Sequence, residues 1–287
     1  MSTIKVANVR HPDASAPAIT LASDGSVSIP SLPVSPFAFG YAGTAYFTTV
    51  GANTFTLADP LGTGDIGLKA VRVRLVGGGG GGGGGTTDKD TPLNHGGGGA
   101  GGAYAERFIP DLSGVEATVV ADVGAAGAGG GSNFDNGNPG GASSFTSTAL
   151  AQANMEVSAN GGAGGASESD SVGGNGGGIA KGGDPTSTAV GDLVIPGGPG
   201  SPSVLIYDDV DSFDNLAHFA FPFGGQSHLS APQTAGITAS IFGRFFTHFP
   251  GIDGLNYGGG GSGGWRIGDT VTGGNGAPGI VIVDCFV

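Results

Sequence analysis

Few groupings of residues in this 287-residue chain could carry chemistry. Gly260-Gly261-Ser262-Gly263-Gly264 spells G-x-S-x-G, the pattern that exposes a nucleophilic serine on a sharp strand-to-helix turn. No helix signal follows it, and 63 glycines make such a match easy to reach by chance. Asp208, Asp209, Asp211 and Asp214 are close enough to suit a hard cation such as Ca²⁺. Their spacing departs from the EF-hand loop, so a solvated acidic turn is the plainer reading. Ca²⁺ at Asp208, Asp209 and Asp211 is the one cofactor worth naming, and none is expected. The five histidines show no metal-ligand spacing, and the single cysteine, Cys285, excludes an internal disulfide. The stretch around Lys181 lacks the Lys-Ser/Thr ending of a phosphate loop. Paired carboxylates for glycan hydrolysis need a cleft that sequence does not show. Trp265 beside Arg266 suits stacking on a sugar, or sealing a packed glycine layer. These residues point to a binding or structural protein, not an enzyme.

The element that must position them is glycine. Residues 77–85 are nine consecutive glycines, and further Gly-rich runs occupy 96–102, 124–131, 161–165, 173–178, 258–264 and 273–279. Such runs are either linkers or packed, extended three-residue-per-turn helices that approach closely because they lack Cβ atoms. In the second case their amides bond between helices, and nine residues at ~3.1 Å each make a rod of roughly 28 Å. The flanks favour the rod. Val71-Arg72-Val73-Arg74-Leu75-Val76 alternates like a half-buried strand, and the chain closes on Ile280-Val281-Ile282-Val283-Asp284-Cys285-Phe286-Val287. Only 11% of residues are charged and 38% are hydrophobic, which is unlike a disordered chain. No sustained Gly-X-Y register exists, so collagen is excluded.

Residues 1–50 read as a separate N-terminal attachment or oligomerisation arm, with Asp24-Gly25 turning a hairpin and Pro30, Pro33 and Pro36 forming a connector. Residues 51–287 read as a glycine-rich domain on a β framework. Strands are expected over 45–50, 53–57, 71–76, 103–109, 115–123, 143–146, 155–159 and 280–287, with almost no α-helix. An insert over about 204–257 holds ten of the chain's 22 aromatic residues, among them Phe213, and the histidines His218, His228 and His248. Its rings form a local core, a subunit interface or a receptor surface. A net charge of −13 argues against nucleic acid and anionic membranes. No secretory signal and no membrane span is expected.

The order of elements carries a resemblance. A Phe-Thr strand, an alternating Val/Arg strand, the long glycine run and a Tyr/Glu/Phe strand lead to Val123-Gly124-Ala125-Ala126-Gly127 and Gly140-Gly141-Ala142-Ser143-Ser144-Phe145. Ala159-Asn160-Gly161-Gly162-Ala163-Gly164-Gly165 follows, and Gly273-Gly274-Asn275-Gly276-Ala277-Pro278-Gly279 runs into the last strand. Over residues 53–287 this resembles the glycine-rich C-terminal domain of bacteriophage tail-fibre and tail-tip adhesins. The resemblance implies a fold that is mainly β with a sandwich of polyglycine II helices. It implies a virion protein made in the host cytoplasm, whose loops meet a host glycan or outer-membrane protein and whose arm meets other virion structural proteins. A homotrimer is expected by analogy with fibres. Contact candidates are Asp88, Lys89, Asn94 and His95, then Asn133, Phe134, Asp135 and Asn136. Glu168, Asp170, Phe213, His218, His228, His248 and Trp265 complete them. A capsid-attached head fibre or decoration protein and a glycan depolymerase are the alternatives.

Overall fold

The computed structural model describes residues 8–9, 19–21, 27–28, 40–85, 95–131, 135–168, 179–180, 189–207, 216–220, 222–230, 250–264 and 271–287. The chain forms two compact units, 1–40 and 41–287. In the first, β1 (Asn8–Val9), β2 (Ile19–Leu21) and β3 (Val27–Ser28) make an antiparallel meander. Leu21 pairs with Val27 across the Asp24-Gly25 stretch, as the hairpin signal predicts.

The second unit begins with β4 (Tyr41–Phe47), β5 (Gly51–Thr56), β6 (Ala70–Val76), β7 (His95–Gly96), β8 (Tyr104–Ile109) and β9 (Thr118–Val123). It continues with β10 (Ser143–Thr146), α1 (Thr148–Gln152), β11 (Val157–Ala159), β12 (Ser167–Glu168), β13 (Ile179–Ala180) and β14 (Ala189–Val190). It closes with β15 (Leu193–Ile195), β16 (Ser203–Tyr207), β17 (Leu216–Ala220) and β18 (Ile280–Phe286). Two antiparallel five-stranded sheets, ordered β15-β8-β6-β18-β4 and β14-β11-β10-β9-β5, face each other as a sandwich. Smaller pairings join β7 with β12, and β13 with β16 and β17.

The two-residue alternation decides what each strand buries. Val71, Val73 and Leu75 of β6 point into the sandwich with Val281, Val283 and Cys285 of β18, while Arg72 and Arg74 point out. From the other sheet Phe55, Val119, Ala121, Val123, Phe145 and Val157 meet them. The only α-helix among the described residues is one turn long. Ser147 caps it by accepting the Leu150 amide at 3.2 Å, and Leu150 closes the core beneath.

Burial pushes the Cys285 thiol from 9.0 up to about 11, and the nearby Asp284 carboxylate adds to the shift. The fold therefore favours the protonated thiol. That contribution is full below about pH 9 and is lost as pH rises through 11. Tyr104 acts in the same direction at higher pH, raised by burial first and then by its hydrogen bond to Glu106. The urea midpoint is expected to fall between pH 9 and 11, and Cys285→Ala to flatten part of that fall. A variant that falls as steeply as the parent would remove Cys285 as a cause.

Each strand of the sandwich that meets the glycine layer continues into it without a turn. β6 becomes run 77–85, β9 becomes 124–131 and β11 becomes 160–166; run 96–103 enters β8, 135–141 leads to β10, and 271–279 enters β18. Strand β6 and its glycine run together extend roughly 50 Å, at about 3.3 and 3.1 Å per residue.

Candidate functional site

The glycine runs form a hydrogen-bonded lattice around 77–85. The amides of Gly77, Gly80 and Gly83 donate to Ala103, Ala100 and Gly97. Those of Gly78, Gly81 and Gly84 donate to Gly141, Asn138 and Asp135, and those of Gly79, Gly82 and Gly85 to Ala277, Gly274 and Val271. All nine N···O distances are 2.8–3.0 Å. The three acceptor runs are antiparallel to 77–85. Three parallel runs donate to its carbonyls: Gly127 and Gly130, Gly162 and Gly165, and Gly261 and Gly264. Adjacent neighbours bond to each other in turn, for example Ala100 to Ala163, Gly137 to Gly165, Asn138 to Ala128 and Gly276 to Gly127. The central helix is thus enclosed by six others, alternating in direction. With three residues per turn, successive amides point to three neighbours and successive carbonyls to the other three, so every backbone polar group can be satisfied without one side chain.

Side chains appear where the lattice ends. Ala125 and Ala128, Asn136 and Pro139, and Thr272 and Asn275 are spaced by three and face outward on peripheral runs. Asn275 stands in for an absent neighbour helix beside run 124–131. Asn275 Oδ1 accepts the Gly129 amide at 3.0 Å, and Asp253 Oδ1 accepts the Asn275 amide at 2.7 Å. At the junction with the sandwich the buried Ser143 hydroxyl donates to Val76 O at 2.7 Å and accepts from Gly124 N at 3.0 Å. The sequence does not reveal these lattice roles, because each residue lies in a short stretch that reads as loop or strand end.

The far end of the lattice is the candidate site. There Gly85 bridges Val271 in both directions at 2.8 Å, Gly84 donates to Asp135, and β7 pairs with β12 through Ser167↔Gly96 and Glu168↔His95. Asn136 Oδ1 accepts the Ser167 amide at 2.7 Å, and Ser167 Oγ donates to Gly84 O at 2.6 Å. This frame fixes the ends of the segments that leave the lattice. Of the candidate residues, Asp135 and Asn136 are exposed on it, and the backbones of His95 and Glu168 are part of it. Asp88, Lys89 and Asn94, Asn133 and Phe134, and Trp265 lie outside the described residues, in segments whose two flanks both sit at this end. Asp170, Phe213 and His248 also lie outside them, as do Asp208, Asp209 and Asp211, while His218 is placed in β17 by its backbone alone.

His228 is elsewhere. It lies at the sandwich end of the lattice, exposed, with its ring centroid 4.5 Å from that of Tyr104. The insert containing it is not wholly outside the bundle. Gly225 donates to Gly99, Gly251 to Thr272 and Gly254 to Asn275, so residues 222–227 and 250–255 extend the lattice. Tyr257 packs with Val76, Tyr104, Ile280 and Ile282.

Residues 48–286 match the profile of the glycine-rich domain. The chain belongs to the glycine-rich domain family. No curated protein matches it. Within this glycine-rich domain Ser262 occupies a lattice position, is buried, and accepts the Ile252 amide at 2.7 Å, which is not the geometry of an exposed nucleophile on a strand-to-helix turn. Among the described residues no group of three or more His, Cys, Asp or Glu is placed to hold a metal ion. No described helix is long and apolar enough to cross a membrane.

Proposed function

We propose that this glycine-rich domain is the adhesin of a tailed-phage fibre or tail tip, presenting loops from the far end of its lattice to a host glycan or outer-membrane protein. The supporting observation is polarity. The large unit begins at Tyr41, which pairs with Phe286 at the end of the sandwich away from the glycine layer. The segments holding most candidate contacts flank the opposite end, roughly 50 Å away by strand and helix rise. A stiff, side-chain-free support fixes the loop ends before binding, which lowers the ordering cost of recognition. Recognition is non-covalent, and several copies on one particle add avidity.

The test is saturable binding of the purified full chain to a panel of bacterial strains, with free protein competing against phage adsorption to the strain that binds. Asp88→Ala, Lys89→Ala and Asn94→Ala combined are expected to weaken binding at least tenfold while leaving a cooperative urea transition at the parental midpoint. A folded protein that binds no strain and does not compete would move the reading to a capsid fibre or decoration protein. Release of soluble saccharide from the bound strain would move it to a depolymerase.

A further inference from the structure

The two outer faces of the sandwich differ in chemistry. On the sheet containing β5, β9 and β10 the outward residues include Thr54, Thr56, Thr118, Ser144 and Thr146, with the small aliphatic side chains of Val120, 44% exposed, and Val190, 39% exposed, and no aromatic ring among them. On the other sheet the outward rows hold large rings. Tyr41 and Tyr46 are each 65% exposed, Leu193 is 47% exposed and Phe108 is 39% exposed. Tyr41 and Phe108 both meet Phe286 edge-on, at 6.0 and 5.9 Å. Between the rings Arg72 pairs with Glu106 at 2.7 Å and Arg74 with Asp284 at 3.0 Å. Thr44 also donates to Asp284.

We infer that this face is an interface between two copies of the chain, related by a twofold axis. The charge distribution selects the occupant. The chain carries −13, yet the two arginines and two carboxylates of this face cancel. A second copy, as acidic as the first, meets least repulsion here. Because its charges are already paired, this patch can face a second copy of itself without repulsion, and a twofold contact sets the same patch on both partners. Exposed aromatic rings around a paired polar centre match the composition of protein interfaces. A glycan is a poorer fit, since the central polar groups already bond to one another and leave fewer partners for hydroxyls. This inference goes beyond the adhesin reading and does not rest on it, because cell binding reads the opposite end of the molecule.

Sedimentation equilibrium on the full chain tests it. The parent protein is expected to be a dimer at micromolar concentration; a trimer, which the resemblance to fibres implies, would overturn the proposal. Tyr46→Glu with Leu193→Glu places like charges on both sides of the contact and is expected to raise the dimer Kd at least a hundredfold, with the urea transition retained. Val120→Glu, on the opposite face, is expected to leave the dimer intact. A monomeric parent overturns the proposal, and so does an assembly whose mass survives the double substitution or is broken by Val120→Glu. Retention of a glycan or of a different protein by a monomeric parent, lost in the double variant, would reassign the face and overturn it equally.

Discussion

Gly81→Ala is expected to abolish the native fold. A Cβ on Gly81 would lie 2.0 Å from the carbonyl oxygen of Ala128 and 2.4 Å from its carbon. Both are backbone atoms, so no rotamer change gives relief. The carbonyl oxygen of Ala128 also accepts the Asn138 amide, and its run holds the central helix through Gly127 and Gly130 at 2.8 Å each. Displacing that run by the ångström or more that a methyl group needs breaks those bonds together. At about 1 kcal/mol net for each bond, and more for each group left buried and unpaired, the loss reaches the roughly 4–5 kcal/mol that marks an exceptional substitution. That is comparable to the whole stability of many domains, about 5–15 kcal/mol. The expected result is insoluble protein, or soluble protein without a cooperative urea transition. Ala128→Ser is the control, since that side chain faces solvent, and it should stay within about 0.5 kcal/mol of the parent. A Gly81→Ala protein with the parental midpoint would mean that the runs do not pack in this lattice.

The amino-acid pattern exposes one half of this architecture and conceals the other. Alternation marks β6 because Arg72 and Arg74 separate Val71, Val73 and Leu75, and the terminal run marks β18 because both of its faces are covered near the glycine layer. Glycine content with strand flanks on both sides marks the central rod. Which runs are neighbours is invisible, because glycine carries no side chain to encode register; strand connections set it instead. The outward period of three in Ala125 and Ala128, or Thr272 and Asn275, lasts too few turns to stand out from so much glycine. Residues 222–227 and 250–255 read as part of an aromatic insert because Phe223, Ile252 and Leu255 dominate their appearance. A peripheral helix needs small residues only on its inner side, so Gly225, Gly251 and Gly254 are sufficient. Of the candidate contacts, Asp135 and Asn136 stand out as a polar stretch between glycine runs, and both are exposed at the far end of the lattice. That Asn136 and Ser167 hold the frame is not legible, since the bond joins residues 31 apart in sequence.

Phe55→Ala is the second large expected effect, and it tests whether sandwich and lattice are one cooperative body. Phe55 is 1% exposed, and its ring lies edge-on to Phe145 at 5.6 Å and to Phe47 at 6.2 Å. Truncation leaves a cavity between the sheets and should cost about 3–5 kcal/mol, as for other buried Phe→Ala changes. These rings sit in the core between the two sheets, to which the lattice contributes Ala103. The lattice contributes little apolar burial, and ordering a glycine backbone costs more entropy than ordering any other. Its runs are instead tethered by strands spliced directly onto them, at Val76–Gly77, Val123–Gly124 and Gly279–Ile280, and by Ser143 bridging Val76 and Gly124. Weakening the sandwich should therefore lower the unfolding midpoint of the lattice by the same amount. Near-ultraviolet circular dichroism reads the sandwich rings, and hydrogen exchange at the central glycine amides reads the lattice. Coincident, equally shifted urea transitions are expected. Glycine amides that stay protected after the aromatic signal is lost would show that the lattice stands by itself, and that the strands only carry the chain to and from it.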